Sequence, residues 1–144
     1  MIIGSILKGK GTEVVSVRPE DTVLEVARTL DQHRIGAALV RDAAGAMLGI
    51  ISERDIVGGM AAHGPGTTGL KAEQLMTRDL VTVTPQTLVI HALGLITQKR
   101  VRHLPVLDGE RLAGLVSIGD LVKARIEEAE QEAEELKAYV TAAG

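Results

Sequence analysis

The sequence predicts an α/β fold of the α+β type, made of two copies of a β-α-β-β-α unit packed in pseudo-twofold symmetry. Three observations lead there. The chain repeats itself, it alternates β-branched runs with segments of helical spacing, and it carries one string, Gly-h-h-Ser-x-x-Asp (h apolar), at matching points of both copies. Val15-Ser16-Val17-Arg18-Pro19 aligns with Val81-Thr82-Val83-Thr84-Pro85. The register then holds, with Val23 on Val89, Gln32 on Gln98, Arg34 on Arg100, Val40 on Val106 and Asp42 on Asp108. After a one-residue deletion in a turn, the string from Gly49 to Val57 falls on the string from Gly114 to Val122.

Each copy opens on a short β-branched run, Val14 to Val17 and Leu80 to Val83, closed by a proline that cannot continue a central ladder. A helix follows, with Val23, Val26, Ala27 and Leu30 in one copy and Val89, Ala92, Leu93 and Ile96 in the other on one face. Asp21 and Thr87 stand where N-caps are expected. Two strands come next, Ala37 to Arg41 with Met47 to Ile51, and His103 to Leu107 with Leu112 to Val116. Their turns, Asp42-Ala43-Ala44-Gly45 and Asp108-Gly109-Glu110, read as hairpins. A second helix starts after Ser52 and after Ser117. The breaker-rich stretch 63–69 reads as a linker, and Lys71 to Met76 as a short helix leading into the second copy. The expected division is 1–66, a first unit with its lead-in, and 67–144, a second unit with linker helix and helical tail. One such unit alone buries too little surface to be robust, so the two are expected to share a core, with a pseudo-symmetric pair of clefts between them.

Composition narrows the function. The 144 residues are 45% apolar, enough for a core without disulfides, and there is no cysteine for a disulfide or a thiolate metal site. A net charge of -3 argues against a non-specific nucleic-acid binder. Tyr139 is the single aromatic residue, so stacking platforms for bases are lacking. The start, MIIGSILKGKG, lacks the pattern of a signal peptide, and no apolar run reaches the ~20 residues of a membrane span, so a soluble, cytoplasmic protein is expected. His33, His63, His91 and His103 show no metal-ligand spacing, and no nucleophile–base set is visible, so neither a metal site nor catalysis is expected.

The doubled Ser-x-x-Asp string carries the chemistry. Ser52 and Ser117 can cap the helices they precede, with Asp55 and Asp120 favouring the positive end of the dipole. The same geometry offers free N–H groups to a phosphate. A carboxylate beside it can accept both hydroxyls of a ribose.

With GIISERDIV and GLVSIGDLV at the junctions and RVRHLPVLDGERLAGLVS in the second copy, the chain resembles a tandem cystathionine-β-synthase (CBS) domain pair, or Bateman module, from about Val14 to Val122. It is similar to the stand-alone bacterial CBS-pair signalling proteins that carry no attached enzyme. The resemblance implies adenosyl ligands such as AMP, ADP, ATP, NADH or S-adenosylmethionine in one or both clefts. It implies that Asp55 and Asp120 hold ribose hydroxyls, and that Ser52, Arg54 and Ser117 contact phosphate. Val15, Ser16 and Val17, Ile35, Gly36 and Ala37, Val81, Thr82 and Val83, and His103, Leu104 and Pro105 would flank the adenine. Gly119 replaces Arg54 in the second copy, so the two sites are not equivalent.

Arg34, Lys99, Arg100 and Arg102 lie just before the second strands, where Arg102 in particular is expected to reach phosphate. Cations oppose a sulfonium, so AMP ranks first, NAD(H) or ATP next, and S-adenosylmethionine last. The same charges also suit helix C-termini without any ligand. The tail carries an apolar stripe through Leu121, Val122, Ile126, Ala129, Ala133, Leu136 and Val140, opposite acidic residues. The expected protein is a non-enzymatic, homodimeric energy- or redox-state sensor that requires no cofactor and answers AMP, NADH or ATP. It would signal to a downstream protein, without nucleic-acid or membrane partners. The alternative is a ligand-free dimerisation or interaction scaffold.

Overall fold

In the computed structural model, which describes residues 1–143, the chain runs α1 (Ile3–Lys10), β1 (Ser16–Val17), α2 (Val23–His33), β2 (Ala37–Arg41), β3 (Met47–Ser52), α3 (Glu53–His63), a 3-10 segment (Gly64–Gly69), α4 (Ala72–Leu75), α5 (Val89–Lys99), β4 (His103–Asp108), β5 (Arg111–Ser117) and α6 (Ile118–Ala143). The expected β-α-β-β-α order is present in both copies, with the opening strand of the second reduced to one parallel bridge, Val83 to Val106.

Two compact units result, and their boundary differs from the sequence division at 66/67. One unit is Val14–Leu80; the other joins Met1–Glu13 to Val81–Gly144. Backbone hydrogen bonds explain the difference. A helix start leaves N–H groups without intrahelical partners, and each lead-in helix finds carbonyls for them in the copy that it does not introduce. In the first unit, Ala72 N donates to Asp21 O at 2.8 Å and Glu73 N to Pro19 O at 3.1 Å. In the second, Ile3 N donates to Thr87 O at 2.9 Å and Gly4 N to Pro85 O at 2.8 Å. Pro19 and Pro85, like Asp21 and Thr87, are equivalent positions of the repeat. The lead-ins have changed places.

Within Val14–Leu80, β1 pairs in parallel with β2, and β2 antiparallel with β3, so that Ala37 faces Ser52. Helix α2 is capped one residue later than the sequence suggested. Thr22, not Asp21, accepts from Glu25 N, and the Glu25 carboxylate accepts from Thr22 N. Asp21 instead accepts from Arg18 N at 2.9 Å, holding the turn before the helix. Its buried face, Val23, Val26 and Leu30, covers the sheet. Val26 and Leu30 join Val17, Ala38, Val40, Ile51, Ala72 and Met76 in one core. Each valine, leucine, isoleucine or methionine among them contributes about 1.5–3 kcal/mol on burial, and each alanine less. The stretch read as a linker is built in rather than loose. Thr67 is 1% exposed, and its hydroxyl donates to Gly59 O and Gly64 O.

In the other unit β4 and β5 form an antiparallel hairpin in which His103 faces Ser117. Helix α5 has no side-chain cap: Leu88 stands at the N-cap, and Thr87 accepts from Thr84 N within the preceding turn. The core gathers Ile3 and Leu7 of α1 with Val83, Val89, Ala92, Ile96, Leu104, Val106, Val116, Leu121 and Ala124. Helix α6 touches that core with its first two turns and then runs on, exposed from Ala129 to Ala143. Among the described residues no helix is long and apolar enough to cross a membrane.

Candidate ligand site at the paired helix starts

Both Ser-x-x-Asp strings sit where a strand turns directly into a helix. In the first unit Ser52 ends β3 in extended conformation, and its hydroxyl accepts from Asp55 N at 3.3 Å. The Asp55 carboxylate answers by accepting from Ser52 N at 2.9 Å and from the Ser52 hydroxyl at 3.1 Å. In the second unit Asp120 N donates to Ser117 Oγ at 3.1 Å, and Ser117 N donates to Asp120 Oδ2 at 2.8 Å. The capping account of these residues is therefore realised in both copies. Each Asp is half-buried at the positive end of its helix.

The carboxylates differ in their third partner, which comes from the exchanged lead-in. Thr77 Oγ1 donates to Asp55 Oδ1 at 3.1 Å. Asp120 instead receives the Lys10 ammonium, which also donates to Leu115 O at 2.9 Å. Burial works to raise the Asp120 carboxyl. The Lys10 hydrogen bond and charge, with the Ser117 backbone and side chain, outweigh it and hold the group below its usual range. Asp55 has a neutral hydroxyl in the corresponding place.

The glycine that opens each string makes room for the same lead-ins. A Cβ on Gly49 would lie 2.6 Å from Thr77 O and 3.0 Å from Met76 Sδ; one on Gly114 would lie 2.6 Å from Leu7 Cδ2. Neither Lys10 nor Thr77 was marked by the sequence as a site residue. The usable signal was this glycine, since a small residue inside a strand marks the close approach of another segment.

The residues expected to flank adenine are gathered at the same ends of the sheets. Glu53 N donates to Gly36 O at 2.9 Å and Leu39 N to Val15 O at 3.1 Å, which sets Val15, Ile35-Gly36-Ala37 and the α3 start side by side. In the second unit Ile118 N donates to Arg102 O at 2.8 Å and Val83 N to Pro105 O at 3.0 Å. Their side chains divide by burial. Val17, Ala37, Val83, Leu104 and Pro105 are buried, whereas Val15, Ile35, Gly36, Val81 and His103 are half-buried, and Ser16 and Thr82 are exposed. Arg54 and Arg102 are exposed and form no ion pair among the described residues. Arg34 and Arg100 are left-handed C-caps with φ of 53° and 54°, ending α2 and α5. In the first unit an open groove of about 700 Å³ runs between α2 and α3, lined by Leu30, Arg34, Ile35, Gly36, Glu53 and Ile56 among others. Neither Ser52 nor Asp55 lines that groove, and the Asp55 carboxylate is bonded to Thr77 instead.

Comparison with known proteins agrees with this architecture. The CBS domain model matches residues 10–62 and again 72–127. The mitochondrial CBS domain-containing protein CBSX3 of Arabidopsis thaliana is 35% identical over 96% of this chain and 71% of its own length. The crystal structure of a CBS-domain containing protein from Agrobacterium tumefaciens is 40% identical, with a TM-score of 0.85 over 86% of this chain and 92% of its own. A CBS domain pair solved in complex with 5-methylthioadenosine and S-adenosyl-L-methionine shares the fold, with a TM-score of 0.78 over 89% of this chain and 98% of its own at 22% identity. With the repeat, the doubled hairpin and the twin Ser-x-x-Asp junctions on both sides of that match, this chain belongs to the CBS domain family and carries two CBS domains in tandem.

Proposed function

We propose that the protein is a regulatory module that binds an adenosyl ligand at its Ser-x-x-Asp helix starts, AMP before NAD(H) or ATP. The observation that carries this reading is the pair of half-buried carboxylates, Asp55 and Asp120, each fixed by a capping box beside exposed helix-start backbone. A carboxylate so held is oriented to accept two vicinal hydroxyls, as a ribose presents them. Cations near both starts favour phosphate: Arg54 in the first unit, and in the second Lys10, paired to the Asp120 carboxylate. A fold relative bound to adenosyl compounds supports the ligand class. The Ser52 hydroxyl is committed to the capping box, accepting from Asp55 N and donating to the Asp55 carboxylate, so the reading is of binding rather than turnover. Ligand acts by preferring one conformation of the module, and the shift passes to a downstream protein.

Calorimetric titration and thermal-shift scans with AMP, ATP, NADH, S-adenosylmethionine and 5-methylthioadenosine test it. A ligand at 100 times its Kd adds about 2.7 kcal/mol of stability. AMP is expected to raise the melting temperature, and Asp55→Asn with Asp120→Asn, which keep shape but lose the charge, to abolish the rise. Silence from every adenosyl compound at millimolar concentration refutes binding and leaves the scaffold reading. Preference for S-adenosylmethionine over AMP refutes the charge argument.

A further inference from the structure

We infer that α6 beyond its second turn is one strand of a parallel, in-register, two-stranded coiled coil, and that the other strand is a second copy of this chain. The helix has two separate apolar faces. Leu121 and Ala124 are buried in their own unit. Val122, Ile126, Leu136 and Val140, in contrast, are 42%, 53%, 63% and 61% exposed. These four fall into a series with Ala129, Ala133 and Ala143 in which the spacing alternates four, three, four, three, four, three. That is the heptad repeat of a coiled-coil seam, with Ile126, Ala133 and Val140 at a and Val122, Ala129, Leu136 and Ala143 at d. Ile126 and Val140 at a, facing the same seam as Leu136 at d, are the combination that favours two parallel strands. Val122 to Ala143 gives about three heptads, some 33 Å of helix.

Charge identifies the occupant. The e positions are Lys123, Glu130 and Lys137; the g positions are Arg125, Glu132 and Tyr139. In a parallel pair, g of one strand meets e of the next heptad on the other. Arg125 then faces the second copy's Glu130, and Glu132 the second copy's Lys137, each contact occurring twice by symmetry. Both are attractive, although taken alone the segment 127–135 is strongly acidic. The surplus acids Glu127, Glu128, Glu134 and Glu135 fall at b and c, away from the seam. Within one chain Arg125 hydrogen-bonds Glu128 at 3.2 Å through one guanidinium nitrogen and lies 4.0 Å from Glu132, which leaves its other N–H groups for an approaching strand. The assembly is independent of what the Ser-x-x-Asp sites bind.

Because the chain has no cysteine, single cysteines report geometry without background. In the full-length protein, Ala129→Cys and Leu136→Cys at d are expected to form disulfide-linked dimers under mild oxidation, and Gln131→Cys at f is not. Sedimentation is expected to show a wild-type dimer, weakened roughly tenfold by the exposed charge reversal Glu132→Lys and restored by Glu132→Lys with Lys137→Glu. A monomer at concentrations up to roughly 100 µM overturns the inference. So does a dimer whose d cysteines fail to cross-link, one that links equally through Gln131→Cys, or one indifferent to the charge reversal.

Discussion

Replacing Gly49 and Gly114 by alanine asks one question twice, because they are the same position of the repeat and their backbones hold no left-handed φ. Each new methyl would sit 2.6 Å from a neighbour, about 1 Å closer than ordinary contact. At Gly114 the neighbour is the tip of Leu7, which can change rotamer within the α1 contact. Overpacking of that kind costs about 1–2 kcal/mol, and the lower chain entropy of alanine returns about 0.4–1, leaving a net loss of about 0–1.6 kcal/mol. At Gly49 the neighbour is the carbonyl of Thr77, which cannot rotate away. It is held by Ile50 N at 2.9 Å, and Thr77 N donates back to Ile50 O at 2.8 Å. Moving it sacrifices much of both bonds, about 0.5–1.5 kcal/mol each, on top of the overpacking, for a net loss of about 2–3 kcal/mol. Urea midpoints of the two variants, read by far-UV circular dichroism, should therefore fall unequally, Gly49→Ala well below Gly114→Ala. Adding Leu7→Val should recover part of the Gly114→Ala loss, measured against Leu7→Val alone, and none of the Gly49→Ala loss. Equal losses, or a rescue that works on both, would show that the lead-ins do not pack as exchanged.

Lys10→Met should change the acid side of the stability curve. The Asp120 carboxyl is depressed in the folded state, so its contribution is fully present above its unfolded value and drains as pH falls below about 4. In the variant burial acts unopposed by the ammonium, and the melting temperature between pH 3 and 6 should vary less with pH; parallel curves refute the pairing. Ser52→Ala and Ser117→Ala each remove an N-cap and should lower stability by about 1 kcal/mol in thermal or urea melts, with Gly in place of Ser milder than Ala. A loss below about 0.3 kcal/mol at both would deny the hydroxyls a capping role.

The fold was legible because its signals are local and doubled. Val23, Val26 and Leu30 lie on one helical face, the hairpins close on Gly45 and Gly109 at positive φ, and Ser52 and Ser117 announce their helices. The caps of α2 and α5 were misread by one residue because Asp21 and Thr87, both good caps, bond the preceding turn instead. The exchange of lead-ins between the compact units was not legible from composition. Nothing in residues 64–69 distinguishes a free linker from a 3-10 segment pinned by one buried hydroxyl, as Thr67 does. The candidate site was half legible. Ser and Asp declare themselves by spacing, but Lys10 and Thr77 reach them across 110 and 22 residues, and only tertiary packing creates those contacts.

The exchanged lead-ins explain why a duplicated gene product need not have duplicated sites. In each unit the helix core, the strand-to-helix turn and the Ser–Asp box are written inside one repeat, so duplication copies them faithfully. The third partner of the carboxylate is not, because it arrives from the segment preceding the other copy. That segment is a full helix in one case, Ile3–Lys10, and a single turn in the other, Ala72–Leu75, ending on a lysine and leading to a threonine. A charged partner at Asp120 and a neutral one at Asp55 follow from a difference in lead-in sequence alone. Under the proposed function, a ligand approaching Asp120 would have to displace or share a cation, and one approaching Asp55 would have only a hydroxyl to move. The asymmetry that Gly119 for Arg54 suggests in the sequence is thus joined by a second one, of opposite sense, since the copy without the arginine is the copy whose carboxylate meets a lysine.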